Sequence, residues 1–461
     1  MSKGSAIFIL IIALGIGGYY YYDTQVCCSF LSKKTIEVAG KEQDVRSREG
    51  LKKLGVEKRR IPNGRNAAIL YLRASNVIDE PKGRVEQHVE YVAAHKWVTD
   101  RAFTRWFDNN ADALKLIHRA ARKPDAEFPL FGKDDEPAYA ILLPHLAPMR
   151  NFARLLVCEG KRYEHEKDPS RALESYFAIT SLADHIHDST AMLIHDIVAL
   201  DIDTIRNRAV EQCLANRPLS EEDLGRVIEH YEQAVQSHIT LAECLDRQKW
   251  CEFSNVNEIV RNPRQGARLL AEVTAKPGMP PSMSNQEQER VARLIETRGA
   301  EIKAAYERDY AALEKWSALP AWQALQPGRG WEAYIDSLPH ACVLSRMLLP
   351  AMGNGKRAYE RGKAEAGGIL IFAAIKLYEK ENGRPPRALS ELKGDCLSEL
   401  PKDPFSGRDY VYKVRGNDWI VYSVWNNLTD DGGIGSWPHK HTKDRDFIFL
   451  SKPIPVKQPP K

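Results

Sequence analysis

What this sequence lacks narrows its function before any residue is singled out. Neither sign of charge is in excess, because 66 basic and 62 acidic side chains leave a formal net charge of +4. A nucleic-acid binder needs a concentrated basic surplus to replace the counterions on phosphates, so no nucleic acid is expected as a partner. None of the eight cysteines forms a C-x-x-C pair, which removes zinc-ribbon and thioredoxin-like sites. Cys244 and Cys251 fall two turns apart on one helical face, beyond mutual disulfide reach. H-E-x-x-H, G-x-S-x-G, the Walker loop and the dinucleotide fingerprint are all missing, and Gly328-Arg329-Gly330 reads as a turn. The chain is therefore expected not to be an enzyme. Its 461 residues, 43% apolar and 28% charged, allow two or three ordinary globular units.

One run is conspicuously uncharged. From Gly4 to Tyr22, between Lys3 and Asp23, no side chain is ionisable in the physiological range, and the core is Ile7-Phe8-Ile9-Leu10-Ile11-Ile12-Ala13-Leu14. At about 1.5 Å of rise per residue, such a helix spans most of a hydrocarbon core of ~30 Å. Tyr19, Tyr20, Tyr21 and Tyr22 suit the headgroup layer where the helix would leave the lipid. A cleaved signal peptide would show a shorter apolar core and a small-x-small site, and none follows the tyrosines. A lipoprotein signal would place a small residue before Cys27, where Gln25-Val26 stands. A prepilin leader would match Lys3-Gly4, yet Ile9 occupies the position of its usual glutamate. An uncleaved anchor is the expectation, with membrane lipid contacted through residues 4–22. Lys3 on one side and Lys33 and Lys34 on the other leave the positive-inside rule nearly silent. The short leading segment and large following body favour a single-pass protein of the bacterial inner membrane with its bulk exported to the periplasm.

Residues 31–355 read as a long all-helical domain, with some flavour of helical-hairpin repeats around Leu155–Asp184 but no fixed period. Val89, Val92, Trp97, Phe103, Trp106, Phe107, Leu114 and Ile117 form an amphipathic stripe within Val85–Lys123. A second stripe covers Leu142–Val157, its start delayed by Pro144 and Pro148, and a loop is expected at Glu159-Gly160. Asp168-Pro169, Ser220-x-x-Asp223 and Ser284-x-x-Glu287 are helix-start signals. Turn-rich breaks fall at Ala275–Ser284 and Gln326–Gly330. Trp97, Trp106, Trp250, Trp316, Trp322 and Trp331 are expected to be core anchors.

The densest candidate chemistry is Asp184-His185-Ile186-His187-Asp188 with His195-Asp196. On one straight helix Asp188 and His195 would be about 10 Å apart, too far to share a metal ion. A hydrolytic site here would need partners from another helix, so polar surface and buried, satisfied histidines are the plainer expectation.

The texture changes near Ala364. A helix carrying Leu370, Ala374, Leu377 and Tyr378 ends at Asn382-Gly383, and Pro385-Pro386 prevents its continuation. The short helix Leu389–Leu392 and a turn-rich link, Leu400–Gly407, follow. Strands are expected at Tyr410–Val414 and Trp419–Val424, joined through Arg415-Gly416-Asn417-Asp418, and at Phe447–Leu450. Between them lies an acidic glycine-rich loop, Asn426–Gly433.

Leu377-Tyr378-x4-Gly383-Arg384-x-Pro386, Leu400-Pro401-x-Asp403-Pro404-x-x-Gly407, Tyr422-Ser423-Val424 and Asp430-Asp431-Gly432-Gly433 with Asp444 and Asp446 together resemble the globular end of the G-type pseudopilins of type II secretion. The resemblance covers about the last 95 residues. The whole chain is also similar to membrane-anchored bacterial proteins of planctomycete type in which a helical domain precedes such a module. The resemblance implies a small α+β module at residues 356–450 and a structural calcium ion held by Asp430, Asp431, Asp444 and Asp446. Oxygen-rich, glycine-containing loops suit calcium's six to eight ligands. The chain departs from the family in placing 341 residues between Tyr22 and Ala364 (364 − 22 − 1), and in having Trp425 and Leu428 where glycine is usual. The expected architecture is thus mainly α: an anchor at 1–30, a helical domain at 31–355, the α+β module at 356–450 and a Pro/Lys-rich tail at 451–461. The expected function is a tethered interaction or scaffold protein with protein partners. A secretion or pilus-like component and an envelope hydrolase are the alternatives.

Overall fold

The computed structural model describes residues 47–53, 61–189, 192–274, 282–416, 418–434 and 446–450. The anchor run 4–22, Asp444 and the tail 451–461 lie outside them. Among the described residues no helix is long and apolar enough to cross a membrane.

The architecture is mainly helical, with a small antiparallel sheet near the C-terminus. The first helices are α1 (Arg48–Lys53), α2 (Ala68–Val77), α3 (Arg84–Ala94), α4 (Arg101–Asn109) and α5 (Ala111–Ala121). The expected Val85–Lys123 stripe is therefore three helices. Asp100 caps α4 by accepting the Ala102 and Phe103 N–H groups at 3.0 Å, and Asn110 closes it, so the chain turns while its apolar face stays inward. Next come α6 (Leu146–His165), α7 (Pro169–Ser189), α8 (Leu193–Asn216) and α9 (Glu221–Gln236), each packed on the next or on the central helix described below. Asp168 accepts the Arg171 N–H at the start of α7, and Ser220-Asp223 forms a reciprocal capping box on α9. A second apolar cluster is built by α10 (Leu241–Arg261), α11 (Pro263–Val273), α12 (Asn285–Ser317), α14 (Trp331–Ser337) and α15 (Val343–Leu348), whereas Ala321 of the short α13 (Ala321–Ala324) joins the main core. Ser284-Glu287 caps α12, which kinks at Arg298.

The loop expected at Glu159-Gly160 is absent: α6 runs through it to His165. Gly160 is a contact point instead of a break. A Cβ there would stand 2.2 Å from Cε1 of Tyr176, so the missing side chain lets α7 approach α6. Glu159 is held in place by His118 at 2.6 Å and by the Ser175 hydroxyl at 2.8 Å.

The last helix, α16 (Met352–Asn382), starts well before Ala364 and is buried around its whole circumference from Ala364 to Ile375. It packs on α8 and α9 on one side and on the sheet on the other. Its charged first half is compatible with burial because the charges pair within the helix. Lys356 meets Glu360 at 2.7 Å and donates to the Ser317 carbonyl at 2.9 Å, and Arg361 meets Glu365 at 2.6 Å. The helix ends at Gly383 in the left-handed conformation (φ 69°), as expected for a glycine cap. The sheet then forms from β1 (Val411–Arg415), β2 (Asp418–Ser423) and β3 (Phe447–Leu450), in that order, with Val411 opposite Tyr422 and Tyr422 opposite Ile448. Phe372, Trp419, Val421 and Phe449 join the same apolar core as the helices from α2 onward. Of the tryptophans, Trp331 and Trp106 are buried, but Trp322 is 40% exposed and lies against Gly407. Residue 322 follows a proline on a four-residue helix, too short to bury a full face.

Candidate functional site

The straight helix assumed for Asp184–Asp196 does not exist. Helix α7 ends at Ser189 and α8 begins at Leu193, so the chain reverses and the two halves face each other. Their side chains converge on a polar cavity of about 150 Å³, walled by α7, α8, α9 and α16. Asp184, His187 and Asp196 all line it, together with Asp203, Arg206, His230, His238 and Tyr359.

Most of these groups are committed to one another. Arg247 donates to Nε2 of His187 at 2.6 Å and to its carbonyl at 2.7 Å. An arginine can only donate, so the His187 proton is on Nδ1, which meets Asp196 Oδ1 at 2.5 Å. Both ring nitrogens are thus occupied, and His187 has no lone pair free to act as a base. Arg206 meets Asp203 at 2.7 Å, donates to the Thr180 hydroxyl at 2.9 Å, and directs Nε and Nη2 at Asn207. Thr180, with its oxygen so engaged, donates to Nε2 of His230 at 3.0 Å. Burial, with Arg206 nearby, pushes the His230 pKa down to about 3, so this ring is neutral. His238 donates from Nε2 to the Tyr359 carbonyl at 2.8 Å, and burial lowers its pKa against the opposing pull of that bond and Asp203.

Asp184 is different. No donor among the described residues reaches its carboxylate. Its side chain is solvent-exposed at the cavity mouth, yet the surrounding protein mass and then the like charge of Asp203 push its pKa up to about 6. Asp203 is raised too, chiefly by burial, with Arg206 opposing.

The remaining residues of the sequence cluster scatter. His185 turns into the core, where Nδ1 lies 3.0 Å from the Tyr71 hydroxyl and Nε2 lies 2.9 Å from the Lys123 carbonyl. His195 is fully buried beside His145, with 3.1 Å between Nε2 atoms, and burial drives its pKa well down. Asp188 is exposed. No family model matches this chain, and neither curated proteins nor solved structures give a match. The site must therefore be read from its own chemistry.

Sequence reading missed Asp203, Arg206, His230, His238 and Tyr359. The first two left a trace: Asp196 and Asp203 are seven residues apart on one helix, and Asp203 and Arg206 are three apart. The histidines of α9 and its end come from a different part of the chain and left none.

In the acidic loop, Asp430, Asp431 and Asp446 do come together, and protein donors take them up. Asp446 accepts the Gly433 N–H at 2.7 Å and the Asp431 N–H at 3.3 Å. Asp430 accepts the Tyr422 hydroxyl at 2.7 Å and the Gly432 N–H at 2.8 Å, which lower its pKa, and Asp431 accepts from Asn427 at 2.8 Å. Among the described residues no three His, Cys, Asp or Glu side chains converge closely enough to hold a metal ion. The described part of the loop is therefore knit by hydrogen bonds of its own, and Asp444, the fourth residue of the expected calcium set, lies outside the described residues.

Proposed function

We propose that this chain is a membrane-tethered, non-enzymatic binding and scaffold protein of the bacterial cell envelope, its helical body and C-terminal strands acting as one receptor on an N-terminal anchor. The observation that carries this reading is the internal commitment of the cavity's acid–base groups. With His187 held on both nitrogens and Arg206 saturated, Asp184 is left as a carboxylate with no nucleophile or orienting donor bound to it among the described residues. The uncharged run from Gly4 to Tyr22 supports the tether.

Expressed in bacteria, the full chain should partition with membranes and be released by detergent but not by high salt, and the chain lacking residues 4–22 should not partition. Purified and offered ester, phosphate, peptide and glycoside reporters, it should give no turnover that Asp184→Asn or His187→Gln removes. Such turnover would instead establish the hydrolase, a reading favoured by the meeting of Asp184, His187 and Asp196 in one cavity. The pseudopilin reading draws support from the antiparallel strands packed on a long helix. A rise in unfolding midpoint with added calcium, lost in Asp444→Ala, would favour it.

A further inference from the structure

The cavity between α7, α8, α9 and α16 has a charge pattern that selects its occupant. Asp184 and Asp203 stand on two adjacent helices and both line it. Arg206 pairs with Asp203, whereas among the described residues none makes a hydrogen bond or ion pair with Asp184, which feels Arg206 and His187 only at longer range. The charged and titratable groups around Asp184 are Asp203 and Arg206 from α8, His187 and Asp188 from its own helix, and Tyr71 from α2. Arg206, the one full cation of that set, is spent on Asp203, Thr180 and Asn207. A second, independent feature lies deeper. Tyr359 is 2% exposed and borders the cavity, and its hydroxyl has no oxygen or nitrogen hydrogen-bond partner among the described residues, with the Cys244 thiol and Asp196 carboxylate beside it. A buried hydroxyl left in that condition next to a cavity is a group that a bound molecule can satisfy.

We infer that this cavity binds a small organic cation bearing N–H donors at one end and a hydroxyl at the other, a hydroxyalkylammonium or hydroxyalkylguanidinium, with its charged head at Asp184 and Asp203 and its hydroxyl at that of Tyr359. A dry cavity of similar volume accommodates a benzene-sized body, so the ligand is limited to roughly six to eight non-hydrogen atoms. Carboxylates on neighbouring helices accept a forked set of N–H groups, which favours ammonium and guanidinium heads over quaternary ones. Ala183, Ala199 and Leu200 supply the apolar wall for a short alkyl chain. This assignment rests on the binding-protein reading given above and names the ligand class of the same cavity.

The test is calorimetric titration of the full chain in detergent with 4-hydroxybutylammonium and 3-hydroxypropylguanidinium, with butyrate and n-pentanol as anionic and neutral counterparts of similar size. The cations should saturate at neutral pH and the counterparts should not. Asp184→Asn, at an exposed position without a hydrogen bond or ion pair among the described residues, should fold normally, with an unchanged unfolding profile at acid pH, and bind about tenfold or more weakly. Equal affinity in that variant, equal binding of pentanol, or no saturation by either cation would overturn the proposal. Binding of butyrate alone would overturn the cation assignment and leave the binding-protein reading standing. Conversion of a bound cation, followed by mass spectrometry, would support the cation site and overturn the non-enzymatic reading.

Discussion

Asp184 and Glu164 are both carboxylates on neighbouring helices, and their surroundings move them in opposite directions. Asp184 holds its proton up to about pH 6 in the fold, against an ordinary aspartate value of 3.8. Between those values the folded state binds more protons than the unfolded one, so this residue's effect on stability is absent in acid and unfavourable once pH has risen through the folded pKa. Midpoints of thermal unfolding measured across that range should fall less steeply with rising pH in Asp184→Asn than in the parent. Glu164 is the reverse case. Burial would raise its pKa, but Lys161 at 2.9 Å, the Tyr176 hydroxyl at 2.6 Å and Arg217 at 3.0 Å together lower it. Its stabilising contribution is complete above the ordinary glutamate range and is lost as pH falls through the lowered value. Because Lys161 is only 1% exposed, Glu164→Ala leaves a buried ammonium unpaired and should cost about 3–5 kcal/mol in denaturant unfolding. Trp425 and Leu428 present another residue-scale conflict. Both take left-handed backbone angles (φ 55° and 58°), a region that favours glycine. Strain of this kind costs about 1–3 kcal/mol and persists where packing over-determines it. Trp425 is held between Phe405 and Phe447, at centroid distances of 5.0 and 5.3 Å, with Arg361 over its ring.

Among the elements, the pairing of α6 with α7 depends on one missing side chain. The Tyr176 ring lies where a Gly160 Cβ would go, and its hydroxyl is tethered to Glu164, so the ring cannot move aside. Gly160→Ala should destabilise by about 1–3 kcal/mol. Gly225 on α9 has nothing within 4 Å of a built Cβ, and there the same substitution should stabilise by about 0.5–1 kcal/mol through helix propensity. Parallel denaturant titrations of the two variants separate close packing from backbone entropy. The link before β1 is pinned in a different way. Asp403, 1% exposed, accepts the Ser423 hydroxyl at 2.7 Å, the Phe405 N–H at 3.1 Å and the Val424 N–H at 3.2 Å, tying the turn to the end of β2.

For the whole molecule, α16 is the central strut, common to the helical body and the sheet. Phe372 faces Trp419 edge-on at 5.0 Å on one side of it, while Asn207 of α8 reaches Glu365 at 3.4 Å on another. A chain ending at Asn382 would expose the sheet-facing side of this helix to water. It should unfold over a broader range with increased binding of a hydrophobic dye, whereas the full chain should show one cooperative transition by circular dichroism.

Much of the local structure was legible in the residues alone. The capping boxes at Ser220 and Ser284, the glycine cap at Gly383, the breaks near residues 218 and 326–330, and the order of helix, short turn and three strands at the C-terminal end are all written within a few neighbouring positions. They depend on short-range hydrogen bonding and on backbone angles that particular side chains favour or forbid. The candidate site could not be read in that way. Asp184, His187 and Asp196 were visible as a cluster, but whether they met depended on α8 folding back against α7, on α9 and the residues just after it supplying His230 and His238, and on Tyr359 arriving from α16. The buried side of α16 was hidden for a related reason: its lysine, arginine and glutamates carry the composition of a solvated face, and only ion pairing inside a packed environment makes their burial tolerable. Sequence determined where helices and strands begin and end, because those are local free energies. Tertiary structure decided which polar groups meet, because that depends on contacts between segments far apart in the chain.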